Sequence, residues 1–179
     1  MISEKLHRYS KINIFLAVIF WMATIACVVS IFYFSHQTGD ESSETSLKIA
    51  KFLSGIINGT INETVIRKGA HITEFTILSL FTYLAIFNTN KISVETSYSE
   101  SSVKFIKSDN EMCIIFTLWF CILNAVIDEY HQLFVAGRSG VISDVAIDMI
   151  GVVFLMLIFR MVFAVSLIIK GKTEVRYNE

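Results

Sequence analysis

The chain contains no proline and only 8 glycines among 179 residues. Proline breaks a helix by removing a donor and crowding the preceding turn, and glycine weakens a helix interior. Their scarcity leaves long, unbroken helices as the expected structure. Cysteine is equally sparse. Cys27, Cys113 and Cys121 all lie in apolar runs, and Cys113 and Cys121 are eight residues apart. That spacing is about 12 Å along a helix, whereas a disulfide needs Cα atoms within roughly 7 Å. The three thiols therefore read as small buried hydrophobes. The formal net charge is only -1, so nothing suggests a nucleic-acid partner.

What the chain has in excess is apolar residues. They make up 54% of it, with mean hydropathy +0.60, against roughly 45–50% in soluble domains. The excess comes in blocks, and blocks of about 20 apolar residues read as membrane spans. Four are expected, over residues 13–34, 69–88, 112–134 and 141–169. The fold class is thus all-α, a single polytopic membrane domain built as a four-transmembrane-helix bundle. Lys5, Arg8 and Lys11 precede an uncharged run from Ile12 to Ser35. That run is longer than the 7–15 apolar residues of a signal peptide, so it is read as a retained span.

Lys and Arg are more frequent in the segments that an inside N-terminus would place in the cytoplasm. By the positive-inside rule both termini are expected there. Ile49, Phe52, Leu53 and Ile56 follow helical spacing, with Lys48 and Lys51 off that stripe. This predicts a short outer amphipathic helix, capped by Ser42 or Ser43 and placed either on the membrane surface or against the bundle. Residues 89–111 are rich in Ser, Thr, Lys and Glu and read as a flexible cytoplasmic loop.

Against this apolar background stand His71, Glu74, Asp128, Glu129, His131, Asp144 and Asp148. An ionisable group at mid-bilayer costs roughly 2.5 kcal/mol or more on insertion scales, so such groups pair with one another and mark function by default. With the N-terminus inside, all seven fall near the outer ends of the spans, where they are expected to form one wet basin. Arg67, His71 and Glu74 are spaced i, i+4, i+7 and stack on one helix face. His71 is a candidate acid or base oriented by Glu74. The bland reading of the three is an ion-pair ladder that locks packing.

Asp128, His131 and Gln132 share a face by i+3 and i+4 spacing, while Glu129 points about 100° away and needs its own partner. Gly137 and Gly140 flank a tight hairpin with Arg138 at its tip. Arg138 suits either Asp144 or an anionic ligand. Asp144 and Asp148 lie one turn apart on the last span. They repel unless a cation sits between them, with Arg67, Lys68, Arg138, a protonated histidine or a metal as candidates; otherwise one keeps its proton. The bland reading there is a salt-bridge network.

In chain order these pieces resemble the VanZ-like family of small bacterial membrane proteins. The resemblance rests on Phe32-Tyr33-Phe34-Ser35-His36-Gln37 at the first exit and on Arg67, Lys68, His71 and Glu74 opening the second span. It continues with Asp128, Glu129 and Gln132, then Arg138-Ser139-Gly140, then Asp144, Asp148 and Gly151. The family is named for a protein that confers low-level teicoplanin resistance, so the resemblance implies a cell-envelope role in the bacterial cell membrane. It brings no established reaction.

The leading expectation is a polar basin that binds or modifies a membrane lipid, a lipid-linked envelope component or the lipoglycopeptide antibiotic. The candidate acid/base set is His71, Glu74, Asp128, His131, Asp144 and Asp148, with Glu74 and Asp128 orienting the two histidines. The candidate ligand-binding set is Ser35, Gln37, Arg67, Lys68, Glu129, Gln132 and Arg138, the three cations holding an anionic head group. Ser35 and Ser139 are reachable, but nothing in the sequence activates either as a nucleophile. The alternatives are a metal-dependent enzyme using the i, i+3 pairs His71/Glu74 and Asp128/His131 with Asp144 and Asp148, a proton relay, and a non-enzymatic scaffold that alters envelope composition.

Overall fold

The computed structural model describes residues 8–9, 11–57, 59–94 and 101–177, with side chains described for 11–56, 59–92 and 110–169. Five helices carry nearly all of the described chain. They are α1 (Lys11–Ser35), α2 (Gly39–Ile57), α3 (Glu63–Asn90), α4 (Ser101–Gln132) and α5 (Ile142–Tyr177). A two-residue antiparallel pair joins β1 (Arg8–Tyr9) to β2 (Ser93–Val94). Four segments are long and apolar enough to cross a membrane: Lys11–Ser35, Glu63–Asn90, Asn110–Gln132 and Ile142–Ile169.

The boundaries differ from the sequence expectation where capping chemistry intervenes. The second spanning helix starts at Glu63 rather than 69, because the Asn62 Oδ1 accepts from the Thr64 N–H at 2.9 Å and caps it. Arg67 and Lys68 therefore sit inside α3, not before it. Helix α4 begins at Ser101, so the stretch read as a loop over 89–111 carries about three turns of helix at its C-terminal end. Helix α2 begins at Gly39, not at Ser42 or Ser43. Thr38 and Glu41 form a reciprocal capping box: Glu41 Oε2 accepts from the Thr38 N–H at 2.9 Å, and Thr38 Oγ1 accepts from the Glu41 N–H at 3.3 Å.

The spanning helices run up and down, with α3 central. Helix α1 packs chiefly on α3, and α5 packs on α3 and α4. Their contacts use small residues. Ala17, Ser79, Thr82, Ala85, Cys113, Thr117, Cys121 and Ala125 are all buried, and small side chains let membrane helices approach closely. Phe15, Met22, Trp119, Phe154 and Met161 point outward and are more than 60% exposed, as side chains solvated by lipid should be. Polar residues within the spans return their hydrogen bonds to their own helix. Thr24 donates to the Phe20 carbonyl, Thr76 to Ile72 and Thr117 to Cys113. None of the three cysteines forms a disulfide among the described residues; Cys113 and Cys121 are buried and Cys27 is half-buried.

Helix α2 meets α3 through small side chains, with Ser42, Ser46 and Ala50 buried. The apolar stripe identified in the sequence is not the buried face: Ile49, Phe52 and Ile56 are exposed along its flank.

Candidate functional site

One end of the bundle gathers the C-termini of α1 and α4 and the N-termini of α3 and α5. The loop between α4 and α5 closes this end. Gly137 takes φ +73°, a backbone region that costs a side-chain-bearing residue. Its carbonyl fills the space that a Cβ on Gly39 would need, and the Gly39 N–H donates to the Ala136 carbonyl at 3.0 Å. Gly140 lies equally close against the Glu129 carbonyl. These approaches press the loop onto the start of α2 and the last turn of α4.

Arg138 is the tie. Its Nε donates to the Gln37 carbonyl at 3.0 Å and its Nη2 to the Phe34 carbonyl at 3.1 Å. Both acceptors lie at the C-terminal end of α1, where carbonyls lack helical partners. Arg138 thus caps α1 and does not pair with Asp144. Burial, reinforced by the like charge of Arg67, pulls the Arg138 guanidinium below its ordinary value, while Asp128, Glu129 and Glu74 act in the opposite sense. The partner of Asp144 is Lys68, whose Nζ donates to Oδ1 at 2.8 Å across the α3–α5 contact.

Behind this loop the acids of three helices come together. Asp128 is fully buried and Glu129, Gln132 and Asp148 nearly so. Gln132 Nε2 donates to Asp128 Oδ2 at 2.9 Å and to Glu129 Oε1 at 3.3 Å. Glu129 finds the further partner that its position demands, since Oε2 accepts from the Val141 N–H at 2.8 Å. His71 Nδ1 stands 3.6 Å from Glu74 Oε2, too far for a hydrogen bond. Asp128 lies within electrostatic reach of His71 and Glu74, and Asp148 within reach of Glu129, Asp128, Asp144 and Glu74. Four buried polar atoms here have no hydrogen-bond partner among the described residues: Ser35 Oγ, His71 Nδ1, Asp128 Oδ1 and Asp148 Oδ2.

The arrangement differs from an open basin. Asp128 and Asp148 are packed inside the bundle, and the two clefts at this end lie beside them. One is bounded by Ser43, Ser46, Glu63, Thr64 and Arg67. The other, about 400 Å³, runs between the end of α1, at Tyr33, His36 and Gln37, and α2, at Glu41, Glu44, Thr45 and Lys48. His131 is also elsewhere. It turns toward α1, its Nε2 3.2 Å from His36 Nδ1 and its ring edge-on to Phe32. Helical spacing placed His131 within one turn of Asp128, but the packing of α4 buries one side of that face and leaves the other against α1.

His36 and Glu41 belong to the polar stretch at the mouth of the first span, which reads in sequence as a helix exit and loop, and neither is in the candidate site set. Their only signal was position, at the mouth of the first span and three residues after a threonine. Among the described residues no three His, Cys, Asp or Glu side chains are disposed to hold a metal ion, so the two i, i+3 pairs do not assemble the ligand set that a carboxylate-bridged centre needs.

No curated protein and no solved structure matches the chain. The family model described as VanZ/LLP1 matches residues 20–164, from within α1 to within α5, and so takes in all of this polar end. With four membrane-length helices and a match over most of its length, the chain is a multi-pass membrane protein that belongs to the VanZ/LLP1 family.

Proposed function

We propose that this protein acts at the outer side of a bacterial cell membrane, with both termini cytoplasmic, by binding an envelope lipid or lipid-linked component at the polar end of its bundle. In this reading it contributes to low-level resistance to a lipoglycopeptide such as teicoplanin. The observation that carries the proposal is the convergence of Glu74, Asp128, Glu129 and Asp148 at one end of the bundle, with His71 beside Glu74 and Asp128 and with four buried polar atoms that have no hydrogen-bond partner among the described residues. Unsatisfied polar groups at membrane depth are costly. A protein retains them where a ligand or water completes them.

The chemistry of the site narrows the ligand. Five carboxyl groups (Glu74, Asp128, Glu129, Asp144 and Asp148) face three fixed cations, Arg67, Lys68 and Arg138. Lys68 is engaged by Asp144 and Arg138 by carbonyls. An anionic head group therefore finds mainly Arg67, whereas hydroxyl or amine donors find several acceptors. A sugar-bearing or amine-bearing amphiphile fits best. If the bound molecule is transformed, His71 beside Glu74 is the pair placed to move a proton.

The test is teicoplanin susceptibility of a sensitive bacterium expressing the protein. Wild type should raise the inhibitory concentration, and Glu74→Gln and Asp128→Asn should abolish that rise at equal membrane abundance. Wild-type behaviour of both variants would remove the polar cluster from the mechanism. No rise with the parent protein would remove the resistance role itself.

A further inference from the structure

We propose that His36 and His131 form a binding site for a divalent transition-metal ion, separate from the acidic cluster and beside the α1–α2 cleft that His36 lines. His36 follows the last turn of α1 and His131 lies in the last turn of α4. Their facing nitrogens, His36 Nδ1 and His131 Nε2, are 3.2 Å apart. Metal–imidazole bonds of about 2.0–2.1 Å that meet at about 100° place two donor nitrogens at about that separation. The ring centroids are 5.4 Å apart with planes at 24°. The two nitrogens therefore lie nearly on the line between the ring centres, the rings meet by their nitrogen-bearing edges rather than face to face, and each ring turns by about 40° to bring both lone pairs onto one ion.

The surroundings favour such an ion without supplying a closed cage. The edge of Phe32 borders His131. On the α2 side the cleft presents Glu41, Glu44 and Lys48. Glu44 is neutralised by Lys48 at 2.7 Å. Glu41 remains an uncompensated anion within electrostatic reach of His36, its carboxyl held below the usual range by the backbone and hydroxyl hydrogen bonds from Thr38. Glu41 is committed to the cap of α2 and so contributes field rather than a metal bond. The protein thus gives two nitrogen donors, and the cleft of about 400 Å³ bordering His36 lets water reach the pair from that side to fill other positions. A site of this kind suits Zn²⁺, Ni²⁺ or Cu²⁺, with Cu²⁺ held most tightly. It is exchangeable, and it joins α1 to α4 at a place where α1 otherwise packs on α3.

The experiment titrates the tag-free full-length protein in detergent with Zn²⁺ or Cu²⁺ alone. One ion should bind per chain, and copper should give the electron-spin-resonance hyperfine pattern of two imidazole nitrogens. His36→Gln and His131→Gln should each weaken binding at least tenfold, and the double substitution should weaken it little further. Melting temperatures without metal check that the variants fold. Should one variant fail to fold, the other and the two-nitrogen spectrum of the parent still decide. Binding that survives both substitutions, a spectrum with one nitrogen or none, or no binding at 100-fold molar excess would each leave the pair as a plain imidazole hydrogen bond and overturn the proposal.

Discussion

Gly151 is where one added methyl group should separate the two helices that build the site. It lies on α5 one turn beyond Asp148, facing α3. A Cβ there would overlap Thr76 Oγ1 and stand 3.0 Å from the Ile72 carbonyl oxygen and from Ile72 Cγ2. Thr76 Oγ1 cannot retreat freely, because it donates to the Ile72 carbonyl at 2.6 Å. Gly151→Ala therefore forces either the loss of that bond, worth about 1 kcal/mol, or separation of the helices, with an overpacking cost of about 1–3 kcal/mol. Greater helix propensity returns at most about 1 kcal/mol. The net expectation is a destabilisation of up to about 2 kcal/mol, or a fall of at most roughly 8 °C in melting temperature for a chain of this size. The function should suffer more than the stability, since Lys68 and Asp144 bridge the same contact. Thermal unfolding in detergent measures the first effect and teicoplanin susceptibility the second. The decisive comparison is Thr76→Ala/Gly151→Ala. Removing the hydroxyl makes room for the methyl, so the double variant should recover at least about 1 kcal/mol relative to additivity. Gly69, with open space around its Cβ position, is the control, and Gly69→Ala should stabilise. A Gly151→Ala protein more stable than its parent, or strictly additive energies in the double variant, would refute the close-approach argument.

Three other outcomes follow, two of them from the polar end and one from the opposite end of the bundle. Arg138→Lys keeps the charge but loses the fork that reaches both the Phe34 and Gln37 carbonyls, so stability should fall by about 1–3 kcal/mol by thermal unfolding. Arg160→Lys should change little, because its pair with Glu111 spans 3.9 Å and is exposed. Glu41 has a carboxyl pKa lowered by its Thr38 hydrogen bonds. The capping box therefore contributes fully above the ordinary carboxyl range and is lost as the pH falls through the lowered value. Amide exchange in the first turn of α2, corrected for intrinsic rates, should accelerate over that interval in wild type, and Glu41→Gln should abolish the dependence.

The sequence alone determined that this is a membrane bundle, because blocks of apolar residues have one stable solution in a bilayer, the helix with its backbone bonds internal. It also determined that the acids share one end, since alternating spans bring alternate termini together and each acid sits near such a terminus. What only the tertiary structure decided is the partner of each charge. Periodicity fixes which residues share a face along one helix, but the rotation of that helix against its neighbours depends on contacts such as Gly151 on Thr76. That rotation gave Asp144 to Lys68 rather than to Arg138, turned His131 to His36 rather than to Asp128, and enclosed Asp128 and Asp148 instead of opening them to water. The same limit explains α2. Its stripe was legible, but small serines and an alanine packed more closely on α3 than Phe52 and Ile56 would have, and so the apolar side chains were left outside.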